Sequence, residues 1–336
     1  MRTPAFILIL SLVSAVLYFA FRYVGNDYLF FAGYTVLQYI VMATAWNILG
    51  GYCGYVNFGA AGFFAIGVYS TVCLHTVGEK VADLFPDFLL AAMHLLFPLP
   101  LPILVVVAGA VAGLVGLGMG YLTLRLRGVF FAIATLALAV VLETFIVNWS
   151  FVGGARGAYV TSPDEVQFFG AHIQFLFVLM LVLVVVALTT ARMIERSRLG
   201  VGLASIRDDE LSAEASGVPT LRMKLIATVI SGALFGMAGA PFPYYIGYVE
   251  PGSAFNLSYA VNSIAMSMIG GTTSWAGPMI GALLLSTMQQ VVTVTISSAV
   301  NLLITGLLLI GFVILAPRGI VGLWKSWGSK AKRPNS

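Results

Sequence analysis

Apolar residues run through this chain in long blocks that short polar segments separate. An α-helix needs about 20 mostly apolar residues to cross the hydrocarbon core of a membrane. The blocks that meet this length, with some shorter or glycine-rich ones, lie at Ala5–Phe21, Leu29–Leu49, Phe58–Leu74, Ile103–Leu124, Val129–Trp149, Ile173–Ala191, Leu225–Tyr245, Leu257–Ile269, Met279–Ser297 and Leu302–Ala316. The pattern predicts an all-α integral membrane protein with about ten transmembrane helices, and nine or eleven as the alternatives.

Two apolar segments allow a second interpretation. Prolines flank Phe88–Pro98 on both sides, which favours an interfacial or re-entrant piece over a span. The first block follows Arg2 and has the size of a signal-peptide core, but no small-x-small cleavage site stands clearly before Arg22. We therefore expect the first helix to be retained.

Composition supports the membrane class and excludes several others. Apolar residues make up 60% of the chain and charged residues only 9%, against about a quarter in soluble proteins. The two cysteines, Cys53 and Cys73, lie inside apolar stretches, which excludes a disulfide scaffold. The three histidines show no zinc spacing. We expect no metal, no cofactor and no catalytic residues.

The basic residues orient the predicted spans. If the N-terminus is cytoplasmic, only Arg22, Lys80 and Arg156 of the 17 Lys and Arg residues fall outside. This bias follows the positive-inside rule. It predicts that both termini are cytoplasmic and that residues 317–336 form a cytoplasmic tail. We expect the whole chain, 1–336, to form a single transmembrane domain.

The longest cytoplasmic connection, residues 192–224, mixes basic and acidic side chains. Apolar residues recur in it at steps of three to five, at Ile206, Leu211, Ala215 and Val218. This spacing predicts a short amphipathic helix that Gly217 and then Pro219 would end. The segment is either a solvated hairpin or, as its mixed charges and apolar stripe favour, a surface that docks into a groove on a soluble partner.

Several motifs in this chain resemble one family. The segment IRDDELSAEASGVPTLRMKL resembles the cytoplasmic coupling segment of branched-chain amino acid ABC importer permeases of the LivM type. Similar motifs are GYCGYVNFGAAGFFAIGVYS, LRLRGVFFAIATLALAVVLETFIVNW, FVGGARGAY, GGTTSWAGPMIGA and LAPRGIVGL. They follow the family's order over most of the chain, and on them the chain is identified as a member of that family.

The resemblance implies a permease subunit of an ABC importer in a bacterial inner membrane. Its implied partners are two cytoplasmic ATP-binding subunits, a homologous second permease, an external solute-binding protein and the lipid bilayer, without nucleic acid. The chain contains no G-x-x-x-x-G-K-[ST] loop, so we expect it not to be an enzyme and the ATPase to be a separate subunit. The candidate coupling residues are Arg207, Asp208, Asp209, Glu210, Glu214 and Gly217.

Two glycine-rich regions, 50–67 and 270–281, interrupt the apolar pattern. Paired interruptions in the two halves of a transporter indicate a substrate route, but small residues also serve close helix packing. The candidate pathway residues are Tyr52, Tyr55, Asn57, Glu143, Gly270 and Gly271. An intramembrane carboxylate such as Glu143 suggests function, although this one could instead reach the interface or pair with Arg156.

The substrate remains the open part of the prediction. Relatives usually carry glutamine, serine and histidine where this chain has Tyr55, Asn57 and Ala60. Branched-chain amino acids are the leading expectation, and urea, short amides or aromatic acids are the alternatives on the same machine. An ion-coupled secondary transporter that acts alone is the competing class. It would need carboxylates near the bilayer midplane, where only Glu143 qualifies.

Overall fold

The computed structural model describes residues 3–79, 99–161, 172–295, 306–307 and 319–322. The long helices are α1 (Thr3–Val24), α2 (Asp27–Cys53), α3 (Ala60–Glu79), α4 (Leu101–Thr123), α5 (Val129–Val147), α6 (His172–Glu195), α9 (Thr220–Gly239), α12 (Ser258–Gly270) and α13 (Ala276–Thr295). The shorter helices are α7 (Arg198–Asp208), α8 (Glu210–Ala215), α10 (Phe242–Ile246) and α11 (Pro251–Ala254). Two short strands, β1 (Ala158–Tyr159) and β2 (Tyr248–Val249), pair antiparallel. The all-α prediction is confirmed.

Eight helices in these described ranges are long and apolar enough to cross a membrane, with α9 and α10 together forming one segment, Thr220–Ile246. The chain is therefore a multi-pass membrane protein. The predicted span at Leu257–Ile269 is the helix α12, whose 13 residues reach about 20 Å and fall short of a hydrocarbon core of about 30 Å. The predicted span at 302–316 and the interfacial segment 88–98 lie outside the described residues.

Glycine and asparagine set the boundaries of the first helices. Gly25, with φ of +68°, turns the chain after α1, and the Asn26 side chain accepts a hydrogen bond from the Tyr28 N–H at 3.0 Å to begin α2. α2 ends where Gly54 adopts the left-handed conformation at φ of +80° and its N–H bonds to Leu49 O. The positive φ of Gly25 and Gly54 would be strained in a residue with a Cβ, and the start of α2 would lose its hydrogen-bond acceptor without the Asn26 side chain.

The chain divides into two compact units. The first draws on residues within 1–55, 180–223 and 261–336, and the second on residues within 56–179 and 224–260. Each unit thus combines segments that are distant in sequence. The division between them falls directly after Tyr55, in the break between α2 and α3.

In the first unit, α13 packs along α2, and polar side chains connect α2, α12 and α13. The Asn262 amide donates to the Tyr39 hydroxyl at 3.3 Å, and the Gln289 amide donates to Asn262 Oδ1 at 3.4 Å. Closer to the end of α12, the Ser267 hydroxyl donates to the Ala43 carbonyl at 2.9 Å. These bonds satisfy polar groups that the apolar surroundings would otherwise leave without a partner.

One end of the first unit is closed by an aromatic cluster around a buried arginine. The Arg192 guanidinium lies 4.0 Å from the Phe6 ring centroid, and Phe6 and Trp275 pack edge to face at 4.8 Å. The Trp275 backbone N–H donates to the Glu195 carboxylate at 2.8 Å. The start of α1, the end of α6 and the turn after α12 therefore lie at one level, which is the cytoplasmic level that the charge bias predicts.

In the second unit, α3 packs along α4 and reaches α9 through glycines. A Cβ added at Gly67 would lie 2.1 Å from the Gly236 carbonyl oxygen, so the backbones of α3 and α9 touch there. At the end of α4, the buried Lys224 ammonium donates to the Leu124 carbonyl at 3.2 Å. A cation at this position stabilises the negative end of the α4 dipole.

We expect Gly67→Ala to destabilise the second unit, because the added methyl group overlaps the backbone of α9. Overpacking of this kind costs about 1–3 kcal/mol. Gly118→Ala is the matched control, since a Cβ at that helical glycine meets no atom within 4 Å. The control should be neutral or gain about 0.5–1 kcal/mol from alanine's better helix propensity. Thermal unfolding of the detergent-purified protein measures both, and equal midpoints for the two variants would contradict the close contact.

Candidate functional site

The predicted break in the first glycine-rich region is present between α2 and α3. Residues 54–59 are not helical, and two polar side chains in this break are buried. The Asn57 Oδ1 accepts the Gly59 N–H at 2.8 Å, which supplies a partner for a backbone group just before α3 begins. Asn57 therefore stabilises the backbone at the start of α3.

Tyr55 connects the break to the segment 192–224, which the charge bias predicts to be cytoplasmic. Its hydroxyl donates a hydrogen bond to the Glu210 carboxylate, at the first residue of α8. Beside it, a Cβ at Gly54 would lie 3.1 Å from Arg207 Cγ, so the end of α2 packs directly on α7. The structure thus joins a candidate pathway residue, Tyr55, to two candidate coupling residues.

The predicted single helix over 206–218 is wrong, because the segment forms two helices that meet at Asp209. Asp209 is extended, with φ of −162°, and its carboxylate accepts the Ser212 N–H at 3.0 Å to begin α8. Hydrogen bonds from Ser212, first from its backbone N–H, lower the pKa of the Asp209 carboxyl from its ordinary value. An aspartate that caps a helix N-terminus interrupts the apolar spacing that suggested one continuous helix.

The predicted end of this segment is confirmed. Gly217 adopts φ of +83°, its N–H bonds to Glu214 O at 2.9 Å, and the Val218 N–H bonds to Ala213 O at 3.0 Å. This is the Schellman arrangement that a glycine one position past the helix supports. The Glu214 carboxylate then accepts the Thr220 hydroxyl at 2.8 Å, which links α8 to the start of α9.

The apolar stripe predicted on this segment does not form one continuous surface. Ile206 is buried against the chain's own helices, whereas Leu211 is 64% exposed. Near it, Asp208 is exposed and pairs with Arg207 at 3.3 Å. Leu211, beside acidic side chains, is open to another protein, as is Val201 on α7, which is 68% exposed, whereas Ile206 belongs to the core.

The second glycine-rich region is tightly packed. A Cβ at Gly270 would lie 1.7 Å from the Gly277 carbonyl oxygen, and Gly271 requires its φ of +111° to turn the chain. A Cβ at Gly51 would lie 2.9 Å from the Thr272 carbonyl oxygen. Gly51 of the first glycine-rich region therefore meets the second region within the first unit, and close backbone approach accounts for Gly51 and Gly270.

Next to this contact, α2 carries polar groups that the sequence pattern did not single out. Asn47 is 1% exposed, and neither of its amide atoms has a hydrogen-bond partner in the described part of the chain; the same holds for the Thr44 hydroxyl. A buried amide without a partner costs about 1–3 kcal/mol. The sequence feature that could have identified this group is an asparagine inside an apolar block, five residues before Tyr52. Tyr52 itself is buried, and its hydroxyl donates to Ala191 O at 3.5 Å.

Glu143 lies on α5, in the second unit, and is half-buried. The carboxylates of Glu143 and Glu250 are within electrostatic range of the Tyr69 hydroxyl. The described residues form no ion pair between Glu143 and Arg156, whose carbonyl oxygen accepts the Tyr248 hydroxyl at 2.6 Å. The pairing considered for Glu143 is therefore not observed.

Within the residues that the structure describes, no group of three His, Cys, Asp or Glu side chains is arranged to hold a metal ion.

The chain matches the family model for the permease component of branched-chain amino acid transport systems over residues 28–313. It is 27% identical to the high-affinity branched-chain amino acid transport system permease protein LivM of Escherichia coli (strain K12), over 84% of this chain and 67% of that protein. It is 27% identical to a probable branched-chain amino acid transport permease protein LivH of Methanocaldococcus jannaschii, over 65% of this chain and 73% of that protein. It is 23% identical to LivH of Escherichia coli (strain K12), over 84% and 91%.

No solved structure matches the chain. The family model nevertheless spans most of the sequence, including α2 to α13 with the coupling segment and both glycine-rich regions. The chain therefore belongs to the family of permease components of branched-chain amino acid transport systems.

Proposed function

We propose that this chain is a permease subunit of an ATP-driven importer in a bacterial inner membrane, and that it carries branched-chain amino acids. The substrate follows the names of its relatives, LivM and LivH. The observation that carries the mechanism is the hydrogen bond between Tyr55 and Glu210, because it ties a break in the membrane helices to an exposed cytoplasmic segment. Family membership sets aside the ion-coupled carrier.

The subunit works as part of a larger assembly in this proposal. Two ATP-binding subunits, a homologous second permease and an external solute-binding protein complete it. The need for separate ATPases is supported by the sequence, which has no phosphate-binding loop. The whole chain, 1–336, acts as one permease domain, with 192–224 as its coupling loop and 317–336 as its tail.

The ATPase contact is proposed to centre on α8. Leu211 is exposed there, whereas Ile206 is buried in the chain's own core. Movement of α8 would reach α2 through two contacts: the bond from Tyr55 to Glu210 and the packing of Gly54 on Arg207. Asp209 and Glu210 both hold α8 in place, so their replacement would test the folding of α8 as much as its docking.

The departures at Tyr55, Asn57 and Ala60 bear on which solute is carried. Tyrosine for glutamine and asparagine for serine exchange one hydrogen-bonding group for another, and alanine for histidine removes one. Urea, short amides and aromatic acids therefore remain the alternative cargoes of the same machine.

Leu211→Glu should abolish most transport, because it places a charge in the proposed ATPase contact. Burying an unpaired charge is costly, and we expect uptake by the full transporter to fall roughly tenfold or more. Val201→Glu is the matched control: Val201 is 68% exposed, on α7, outside the proposed contact. Solute uptake and co-purification of the ATP-binding subunits measure the effect. Normal uptake by Leu211→Glu at equal membrane levels would rule out docking at α8.

Tyr55→Phe should reduce the solute transported per ATP hydrolysed, by about two- to tenfold, since it removes the hydroxyl that binds Glu210 and keeps the ring. ATP hydrolysis by the assembled transporter should continue. Tyr69→Phe is the control, because the buried Tyr69 hydroxyl has no hydrogen-bond partner within the described ranges. Reconstituted transporter in vesicles gives both rates. An unchanged ratio of uptake to hydrolysis in Tyr55→Phe would show that this bond does not couple the two.

Tyr55 and Asn57 are also proposed to help select the solute. Tyr55→Gln introduces the residue that relatives usually carry, and Asn57→Ser keeps an oxygen that can accept the Gly59 N–H. Each should change the ratio of leucine to acetamide uptake, measured by competition in whole cells. If neither variant changes this ratio at equal expression, the solute route lies away from the α2–α3 break.

A further inference from the structure

Asn47 stands apart from the other polar side chains of α2. Gln38, on the same helix and equally buried, donates its amide to the Tyr34 hydroxyl at 3.3 Å. Thr35 bonds back to the Phe31 carbonyl, as threonines in helices commonly do. Asn47 and Thr44 do neither, although both are buried. Neither side chain makes a hydrogen bond of standard geometry among the described residues, although the Tyr52 hydroxyl comes near Asn47.

These two side chains share a face with the glycine contact. Thr44, Asn47 and Gly51 are spaced by three and four residues, which places them on one side of α2. A methyl group at Gly51 would lie 1.9 Å from Asn47 Oδ1 and 2.9 Å from the Thr272 carbonyl oxygen. The Asn47 amide therefore lies over Gly51, where the two interrupted regions of the first unit meet. We call Thr44, Asn47 and Gly51 the Asn47 face.

Tyr52 brings a further polar group close to this face. Its hydroxyl is near enough to the Asn47 amide to interact with it, but the pair does not reach hydrogen-bond geometry. The hydroxyl instead makes a long bond of 3.5 Å to Ala191 O. A donor and acceptor amide, a threonine hydroxyl and a weakly bound tyrosine hydroxyl are thus gathered in an apolar part of the first unit.

We propose that the Asn47 carboxamide, assisted by Thr44, binds the solute as it passes through this subunit. A buried polar group without a partner is retained where a ligand or water completes its hydrogen bonds. In a transporter, irregular backbone beside such a group is a place where a solute can enter. The Asn47 amide occupies the space that a side chain at position 51 would fill, so a residue larger than glycine there would displace the amide.

The chemistry of the Asn47 face defines the class of solute. Thr44, Asn47 and Gly51 carry no charge, which favours a solute that is neutral or zwitterionic. The Glu195 carboxylate lies within electrostatic range of the neighbouring Tyr52 hydroxyl. The carboxamide offers an N–H donor and a C=O acceptor side by side, which match a ligand that presents an acceptor next to a donor. A free amino acid, with its carboxylate and ammonium groups, and a short amide both do so. This inference rests on the proposed function, since it assumes that the subunit conducts such solutes.

Asn47→Leu in the full transporter separates a solute contact from a merely buried amide. Replacing an unpaired buried amide by an apolar group of similar size should leave the thermal unfolding midpoint unchanged or raise it. Uptake of leucine at low concentration should fall about tenfold, the worth of the hydrogen bonds that the amide would make. Gln38→Leu is the control, because it removes an amide that is hydrogen-bonded in the fold. Its midpoint should fall, with a smaller effect on the uptake of correctly assembled protein.

Gly51→Ala provides a second variant that keeps the asparagine but displaces its amide. Because the added methyl group also approaches the Thr272 carbonyl oxygen, its uptake is compared with wild type at equal amounts of folded protein. It should reproduce the loss of uptake seen with Asn47→Leu. The inference is overturned if Asn47→Leu transports leucine and acetamide at wild-type rates. The inference is also overturned if Asn47→Leu loses thermal stability in the same proportion as it loses uptake. If the wild-type transporter carries neither solute, the proposed function fails by itself, and that result does not depend on Asn47.

Discussion

Every backbone N–H and C=O group inside a membrane protein needs a partner, because lipid offers none. This chain departs from regular helix near Tyr55 and again near Gly271. Specific hydrogen bonds and glycine conformations stabilise the backbone at these two breaks. At the first, the Gly54 N–H bonds to Leu49 O and the Asn57 side chain accepts the Gly59 N–H. At the second, Gly271 turns the chain in a conformation that favours glycine. Asn57, whose side chain satisfies the first break, is also a candidate pathway residue.

Glycine removes the side chains that would keep the interrupted segments apart. Gly51 approaches the Thr272 carbonyl, and Gly270 approaches the backbone of Gly277. Both contacts are explained by packing alone, without a solute. Packing does not explain Asn47, whose amide is buried beside the first of these contacts without a hydrogen bond in the described ranges. Thr44 and Thr189 also have buried hydroxyls without a partner in the described part of the first unit, and our proposal assigns the missing partner of Asn47 to the solute.

The predicted coupling segment has one face toward the protein's own helices and another face that is exposed. Ile206 and Glu210 face the protein's own helices, through burial and through the bond to Tyr55. Leu211 faces away from them. Because α7 and α8 are separate helices, joined at the Asp209 cap, α8 presents its own surface while it holds the end of α2. A partner that binds Leu211 would therefore act on a helix already attached to the membrane part of the subunit.

The sequence alone determined the helical class, eight of the spans, the family and the helix end at Gly217. Each of these depends on local properties: the length of apolar blocks, the order of short motifs, and the ability of glycine to adopt positive φ. It also indicated both breaks, because glycines and polar residues interrupt an apolar pattern there.

Only the tertiary structure decided which groups meet. Tyr55 and Glu210 are 155 positions apart, and Lys224 and Leu124 are 100 apart, so no local pattern predicts either bond. The division of the coupling segment at Asp209 was missed because an aspartate is compatible with a helix interior until its carboxylate is seen to accept the Ser212 N–H. Asn47 was missed for the opposite reason. A side chain is recognised as lacking a partner only when all its neighbours are known, and packing rather than sequence order determines those neighbours.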